Sequence, residues 1–358
     1  MRALISLIVV LLLVGVLTGT AGADVITFEC DSDPFVNGGR LFGAITSGGA
    51  ADTVLVPPCY MVLYYYWPIE FTWDTPVIMS VAGAEETVVE GDGTFASLAV
   101  SDEGGLLRVD GLTFRGLSEV LQRDDWLFPT VHVELTNCII EDCGDGLHAM
   151  WTTDESFVRG NIIRNNGGAG INLCQNFGVI EDNEVYGNAG YGLWGGLDEN
   201  PDIRGNHIHH NASGGVYLGF NADLIGNLIE HNSVWGVCTD GTDGGLGTFR
   251  ENVIRYNAVG VYYTGLQGFP GSRFSCNDIY DNETYGVVVD PWADSGFNAT
   301  MNWWGTTDPA EIAAAIHDCE DDPSIQICVI FDPWCETPGC GGTAVEPSSW
   351  GTIKALYR

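Results

Sequence analysis

The segment "NHIHHN", residues 206 to 211, sits between "NEVYGN" at 183 to 188 and "NLIEHN" at 227 to 232. All three begin and end in asparagine and carry an apolar residue third, while the second, fourth and fifth positions vary. Asn206, Ile208 and Asn211 thus belong to a pattern, and His207, His209 and His210 fill its free positions.

The pattern runs far beyond these segments. Asparagine stands at 137, 161, 183, 206, 227, 252, 277 and 302, spaced 21 to 25 residues apart, which is the signature of a repeat architecture. Five residues after the first seven come Asp142 and then Asn166, Asn188, Asn211, Asn232, Asn257 and Asn282. A glycine followed by an apolar residue comes next, from Gly146-Leu147 to Gly286-Val287. Short segments of period two, broken by Asn and Gly at fixed places, predict three short strands per repeat joined by tight turns. Asn and Gly suit the left-handed conformations of such turns. If each repeat is one turn of a coil, equivalent residues lie about 4.8 Å apart. Asn161, Asn183, Asn206, Asn227, Asn252, Asn277 and Asn302 then form a ladder of amides.

Two apolar columns fit the same coil. Three residues before the first asparagine stand Val158, Ile180, Ile203, Leu224, Phe249, Phe274 and Ala299. Two residues after it stand Ile139, Ile163, Val185, Ile208, Ile229, Ile254 and Ile279. This unit, written NxIxxN…G[VIL] across residues 131 to 302, resembles the right-handed parallel β-helix of the pectate-lyase-like superfamily. "ADTVLVPPCY" (51 to 60), "VIMSVAGAEETVVEG" (77 to 91) and "LRVDGLTFRG" (107 to 116) resemble its first coils, and "NWWGTTDPAEI" (302 to 312) its closing segment. The resemblance implies an all-β solenoid of roughly ten coils with end caps and a short C-terminal capping helix.

The rest of the chain fits an exported solenoid. Arg2, an apolar run from Ala3 to Leu17 and the Ala21-Gly22-Ala23 pattern read as a signal peptide cleaved after Ala23. No second apolar run of about 18 residues follows, so no membrane span is expected. Residues 24–60 are expected to form the N-terminal cap and first coil, 61–305 the β-helix, 306–342 a C-terminal cap and 343–358 a linker and tail. Asp308, Pro309 and Glu311 mark a helix start, with Ile312, Ala315 and Ile316 as its apolar face. Eleven cysteines suit disulfides outside the cytoplasm, with Cys30 and Cys59 as partners and Cys319, Cys328, Cys335 and Cys340 as staples rather than metal ligands. A net charge of −35 repels nucleic acid and anionic lipid, which removes nucleic-acid binding from the readings.

The outward columns bear on function. Two residues after the repeat glycine lie His148, Asn172, Trp194, Tyr217, Cys238, Tyr262 and Val288. Such an aromatic stripe, with Trp194, Tyr217 and Tyr262 as its main members and His148 and Asn172 beside them, can hold sugar rings; cross-strand packing explains it equally well. Two residues further on, Asp240 and Asp290 stand two coils apart, about 9.6 Å, too far to share one calcium but near the upper bound for an inverting glycosidase. The acidic loops "DGTDGG" (240 to 245) and "LDENPD" (197 to 202) leave calcium as a cofactor to test. In neighbouring coils His209, His210, Glu230 and His231 come together as a zinc or copper set, against which a solvated polar face is the default. Relatives that cleave uronates use an Arg or Lys base, and neither outward column holds one. The first functional reading is therefore a non-catalytic binder of polysaccharide or cell-surface glycan. The alternative is a carbohydrate-active enzyme, a hydrolase, lyase or epimerase, with Asp240 and Asp290 as catalytic candidates.

Overall fold

The computed structural model describes residues 23–63, 69–71, 75–91, 97–100, 105–122, 132–150, 152–174, 178–195, 201–219, 222–239, 247–265 and 274–341. The proposed signal segment to Gly22, the tail from residue 343, Asp240 and most of both acidic loops lie outside them.

Three parallel sheets of ten, eleven and ten strands run the length of the molecule. Each strand pairs with its equivalent one coil away, so consecutive strands in the chain belong to different sheets. The chain is a right-handed parallel β-helix of about eight regular turns, with less regular ones toward its ends. The first sheet contains Phe157–Arg159, Val179–Glu181 and Asp202–Arg204, and the second Ile162–Arg164, Glu184–Tyr186 and His207–His209. The third contains Leu147–Met150, Ile171–Cys174, Tyr191–Gly195, Gly214–Leu218 and Trp235–Thr239.

The core is the set of columns read from the sequence. Val158, Ile180, Ile203 and Leu224 pair in register in the first sheet, and Ile163, Val185, Ile208 and Ile229 in the second. In the third, Ile171, Leu193, Val216, Val237 and Val261 do the same. All of these are buried. Stacked aliphatic side chains fill the interior at every level, so each coil's apolar face is covered by its neighbours.

Amide ladders fix the turns. The Oδ1 of each asparagine from Asn183 to Asn302 accepts from both the backbone N–H and the Nδ2 of its predecessor, at 2.9–3.1 Å. A second ladder joins Asn166, Asn188, Asn211, Asn232, Asn257 and Asn282. The ladder asparagines are not the left-handed residues. That conformation falls on the residue before them: Asp182 and Gly205 before the first ladder, His210, His231 and Tyr256 before the second.

One expectation fails by one residue. Asn137 itself has φ 51° and Asp142 φ 55°, so each is the residue before a rung. Cys138 and Cys143 take the ladder positions, their backbone N–H groups donating to the Oδ1 atoms of Asn161 and Asn166. The core residue of that coil is accordingly Ile140 and not Ile139. A buried thiol fits where the ladder ends, because the next coil up presents Leu112 and Leu117 and offers no amide to continue it.

Both ends are closed. Helix Pro34–Ser47, capped by Asp33, lays Leu41, Ala44 and Ile45 against strands Thr53–Val56 and Tyr60–Leu63. Helix Pro309–Ala314 starts at Asp308, whose carboxylate accepts from the Ala310 N–H, and buries Ile312. Disulfides join Cys30 to Cys59, Cys319 to Cys328 and Cys335 to Cys340. No described helix is long and apolar enough to cross a membrane.

Candidate glycan-binding face and its neighbours

Strand alternation sends every second residue of the third sheet outward, and the coil stacks these into one stripe. His148 lies beside Asn172, Asn172 beside Trp194, Trp194 beside Tyr217, Tyr217 beside Cys238, and Cys238 beside Tyr262. The register is the one expected from the sequence. Trp194 and Tyr217 stack with centroids 6.0 Å apart and planes 6° from parallel.

The structure adds aromatics that the columns missed. Tyr191 and Trp235, each one residue before its repeat glycine, share this face. Their rings lie 6.4 Å apart, planes within 12°, across Gly214; a Cβ there would come within 3.1 Å of the Tyr191 ring. Tyr191 also meets Tyr217 at 5.4 Å, and Trp235 meets Tyr262 at 5.2 Å. Five rings therefore form one connected patch over buried Cys238. Their signal in the sequence was an aromatic three residues before the outward column, a spacing that period two does not select.

Polar groups stand at both ends of the patch. The Tyr262 hydroxyl donates to Asp290 Oδ2, and burial, reinforced by this carboxylate, pushes its ionisation up. Asp290 Oδ1 accepts the N–H of Trp292, which is 82 % exposed. Asp240 lies outside the described residues, so the proposed Asp240–Asp290 pair is not placed. At the other end His148 Nδ1 lies 2.5 Å from Glu119 Oε2, and Asp145 offers a second carboxylate within 4.8 Å. The bond to Glu119 raises the His148 pKa against the opposing effect of burial. Between these groups and Trp194, the Asn172 Oδ1 is buried without a hydrogen-bond partner.

The histidines of the opening segment belong to a different face. In the second sheet the outward column reads Glu90, Arg115, Glu141, Arg164, Tyr186, His209, Glu230, Arg255 and Tyr280. Arg115 and Arg164 both donate to Glu141, Arg164 to the Tyr186 hydroxyl, and Arg255 to Glu230 and the Tyr280 hydroxyl. The expected set of His209, His210, Glu230 and His231 does not converge. Glu230 is held by His207 and Arg255, while His210 and His231 sit at left-handed turn positions and stack at 5.0 Å. The group whose ligand atoms converge is Glu184, His207 and His209. Cys319, Cys328 and Glu320 also lie close, but both sulfurs are spent in a disulfide.

Comparison with known proteins agrees with this architecture. A family model described as the right handed beta helix region matches residues 125–194 and 175–300. The chain has the right-handed parallel β-helix fold that this model describes. Among solved structures it is similar to the A-module of the mannuronan C-5 epimerase AlgE6 of Azotobacter vinelandii, at 16% identity and a TM-score of 0.52, over 82% of this chain and 92% of that one. The A-module of AlgE4 from the same organism gives 14% and 0.47 over 85% and 94%. The catalytic domain of a GH87 alpha-1,3-glucanase in complex with tetrasaccharides gives 11% and 0.42 over 86% and 68%. No curated protein matches the sequence.

Proposed function

We propose that the chain binds a polysaccharide outside the cytoplasm, along the outward face of the third sheet. The observation that carries this reading is the connected patch of Tyr191, Trp194, Tyr217, Trp235 and Tyr262, with polar groups at each end. Amphipathic rings beside hydrogen-bonding groups suit a ligand that is apolar on its ring faces and polar at its rim. Trp194 has the aromatic Tyr217 on one side and the smaller Asn172 on the other, which leaves an amide beside the indole. Equivalent positions recur every coil, so the face suits an extended chain better than a single sugar. A net charge of −35 favours a neutral polymer, or an acidic one bridged by calcium. The three disulfides support an oxidising location.

A specific observation favours a second reading, a carbohydrate-active enzyme. Glu119, Asp145 and His148 form a titratable group at the end of the aromatic patch, and a hydrogen-bonded carboxylate and imidazole can move a proton. The similar A-module is named an epimerase of mannuronan, a polysaccharide. That likeness concerns the fold; the catalytic reading rests on the three side chains.

One experiment separates the two. Immobilised polysaccharides are screened for retention of the protein with and without calcium, and each that retains it is assayed for shortened chains, unsaturated ends and altered sugar configuration. Retention that falls at least tenfold in Trp194→Ala, with the polymer unchanged, supports binding. Altered polymer that persists in Trp194→Ala and is lost in His148→Gln supports the enzyme. Failure to retain any polysaccharide overturns both.

A further inference from the structure

We infer that Glu184, His207 and His209 form a binding site for a divalent transition-metal ion of the zinc and copper class, on the second sheet and apart from the aromatic face. Alternation in strand His207–His209 buries Ile208 and sends both imidazoles outward, with ring centroids 4.1 Å apart. Coil stacking places Glu184 directly across from His207. One ligand atom from each residue lies within 4.8 Å of the others. Bonds from such ligands to zinc or copper are about 2.0–2.2 Å long, so binding draws the three side chains inward.

The surroundings set the imidazoles for coordination. His209 Nε2 is buried, has no hydrogen-bond partner and lies 3.5 Å from Glu184 Oε1. A buried ring nitrogen without a partner is costly unless something takes its lone pair. Its other nitrogen, Nδ1, is 2.8 Å from Nδ1 of His210; when His209 donates that bond, its Nε2 carries the free lone pair. His207 Nε2 lies 3.1 Å from Glu230 Oε1, and Glu230 is itself held by Arg255. A carboxylate that orients the imidazole of a metal-ligating histidine is the usual outer support of such sites. Tyr186 stacks on His209 at 4.8 Å and limits its rotation.

The donor set narrows the ion. Two imidazoles and a carboxylate favour zinc or copper over calcium or magnesium, which take oxygen ligands. Three protein ligands leave a coordination position for water or a ligand atom. The acidic surface attracts any cation, so selectivity is the informative property.

The test uses the full chain, purified without a histidine tag and stripped with chelator. Zinc and copper ions are titrated calorimetrically, and the metal retained after dialysis is counted by elemental analysis. One equivalent bound at this site is expected, with affinity falling at least tenfold in Glu184→Gln and in His209→Gln and unchanged in Thr46→Ala, on the exposed face of the N-terminal helix. Copper-loaded protein should show nitrogen coupling in its electron paramagnetic resonance spectrum, reduced in His207→Gln. Binding without saturation, equal binding of magnesium, or retention of zinc in a folded His207→Gln/His209→Gln double variant overturns the site. Circular dichroism of each variant separates loss of metal from loss of fold.

Discussion

Asn227 Oδ1 accepts both amide donors of Asn206, the backbone N–H at 2.9 Å and Nδ2 at 3.0 Å. Asn206 Oδ1 does the same for Asn183, and its Nδ2 also donates to the Ile180 carbonyl. Each rung is thus both acceptor and donor, and the buried turn polar groups of one coil are satisfied by the next. A parallel solenoid has no hairpins to fix its register; these rungs do so.

Asn206→Ala should therefore cost more than the lost side chain. It strands the backbone and side-chain donors of Asn183 in a buried site, and each stranded group costs about 1–3 kcal/mol. A destabilisation of about 3 kcal/mol is expected from urea unfolding, against under about 0.5 kcal/mol for exposed Thr46→Ala in the N-terminal helix. Equal midpoints for the two variants would show that the ladder does not hold the coils.

The repeat glycines are required for packing, not for turn conformation. A Cβ on Gly192 would meet Ile208 Cγ2 at 2.4 Å, Asn211 Nδ2 at 2.7 Å and the Gly215 carbonyl oxygen at 2.8 Å. Gly39, inside helix Pro34–Ser47, has open space around the same position. Gly192→Ala should thus leave little folded protein, whereas Gly39→Ala should raise stability by about 0.5–1 kcal/mol. Soluble yield and thermal melting of the pair check this; a well-folded Gly192→Ala would mean the coils separate more easily than their packing implies.

The regular coils were legible because the repeat is written at fixed spacing, and Trp194, Tyr217 and Tyr262 fell on one outward column for the same reason. The coil at Asn137 misled by one residue because its rungs are Cys138 and Cys143, whose backbone N–H groups donate to the next asparagines as a rung does but whose side chains are thiols. Glu119 was missed because the strand carrying it is irregular: its pairing shifts between Glu119 and Gln122, and Leu121 has φ 67°. The Glu90 to Arg255 charge column was equally written in the sequence, one residue after each inward residue, but only the stacked structure shows that opposite charges meet. The loop after Asp240 and the loop at 197–202 fall outside the repeat, where spacing carries no information.

Glu141 should govern part of the acid stability. Burial works to raise its pKa, but hydrogen bonds and charge from Arg164 and Arg115 outweigh it and leave the value below the ordinary carboxylate range. A group with a depressed folded pKa contributes stability above its unfolded value, about 4.3, and that contribution is lost as pH falls through the folded value. Glu141→Gln should lower stability at pH 7 by about 2–4 kcal/mol and flatten the loss below pH 4. Urea midpoints measured from pH 7 to pH 3 test this, and parallel curves for the two proteins would remove Glu141 from the account.

His148 makes the opposite prediction. Its bond to Glu119 raises its pKa above the ordinary histidine value, about 6.5, so the stabilising charged pair is complete below that value and is lost as pH rises through the folded one. Glu119→Gln removes the carboxylate while burial still disfavours the cation, so the His148 resonance should titrate at lower pH in the variant than in the parent. The parent should lose stability as pH rises above about 6.5 and Glu119→Gln should not. Any polymer alteration by this face that requires a protonated His148 should move its alkaline limit down with the same substitution; retention of polysaccharide on the aromatic patch should not move at all. An unchanged His148 titration in Glu119→Gln would show that the 2.5 Å contact carries no charge coupling in solution.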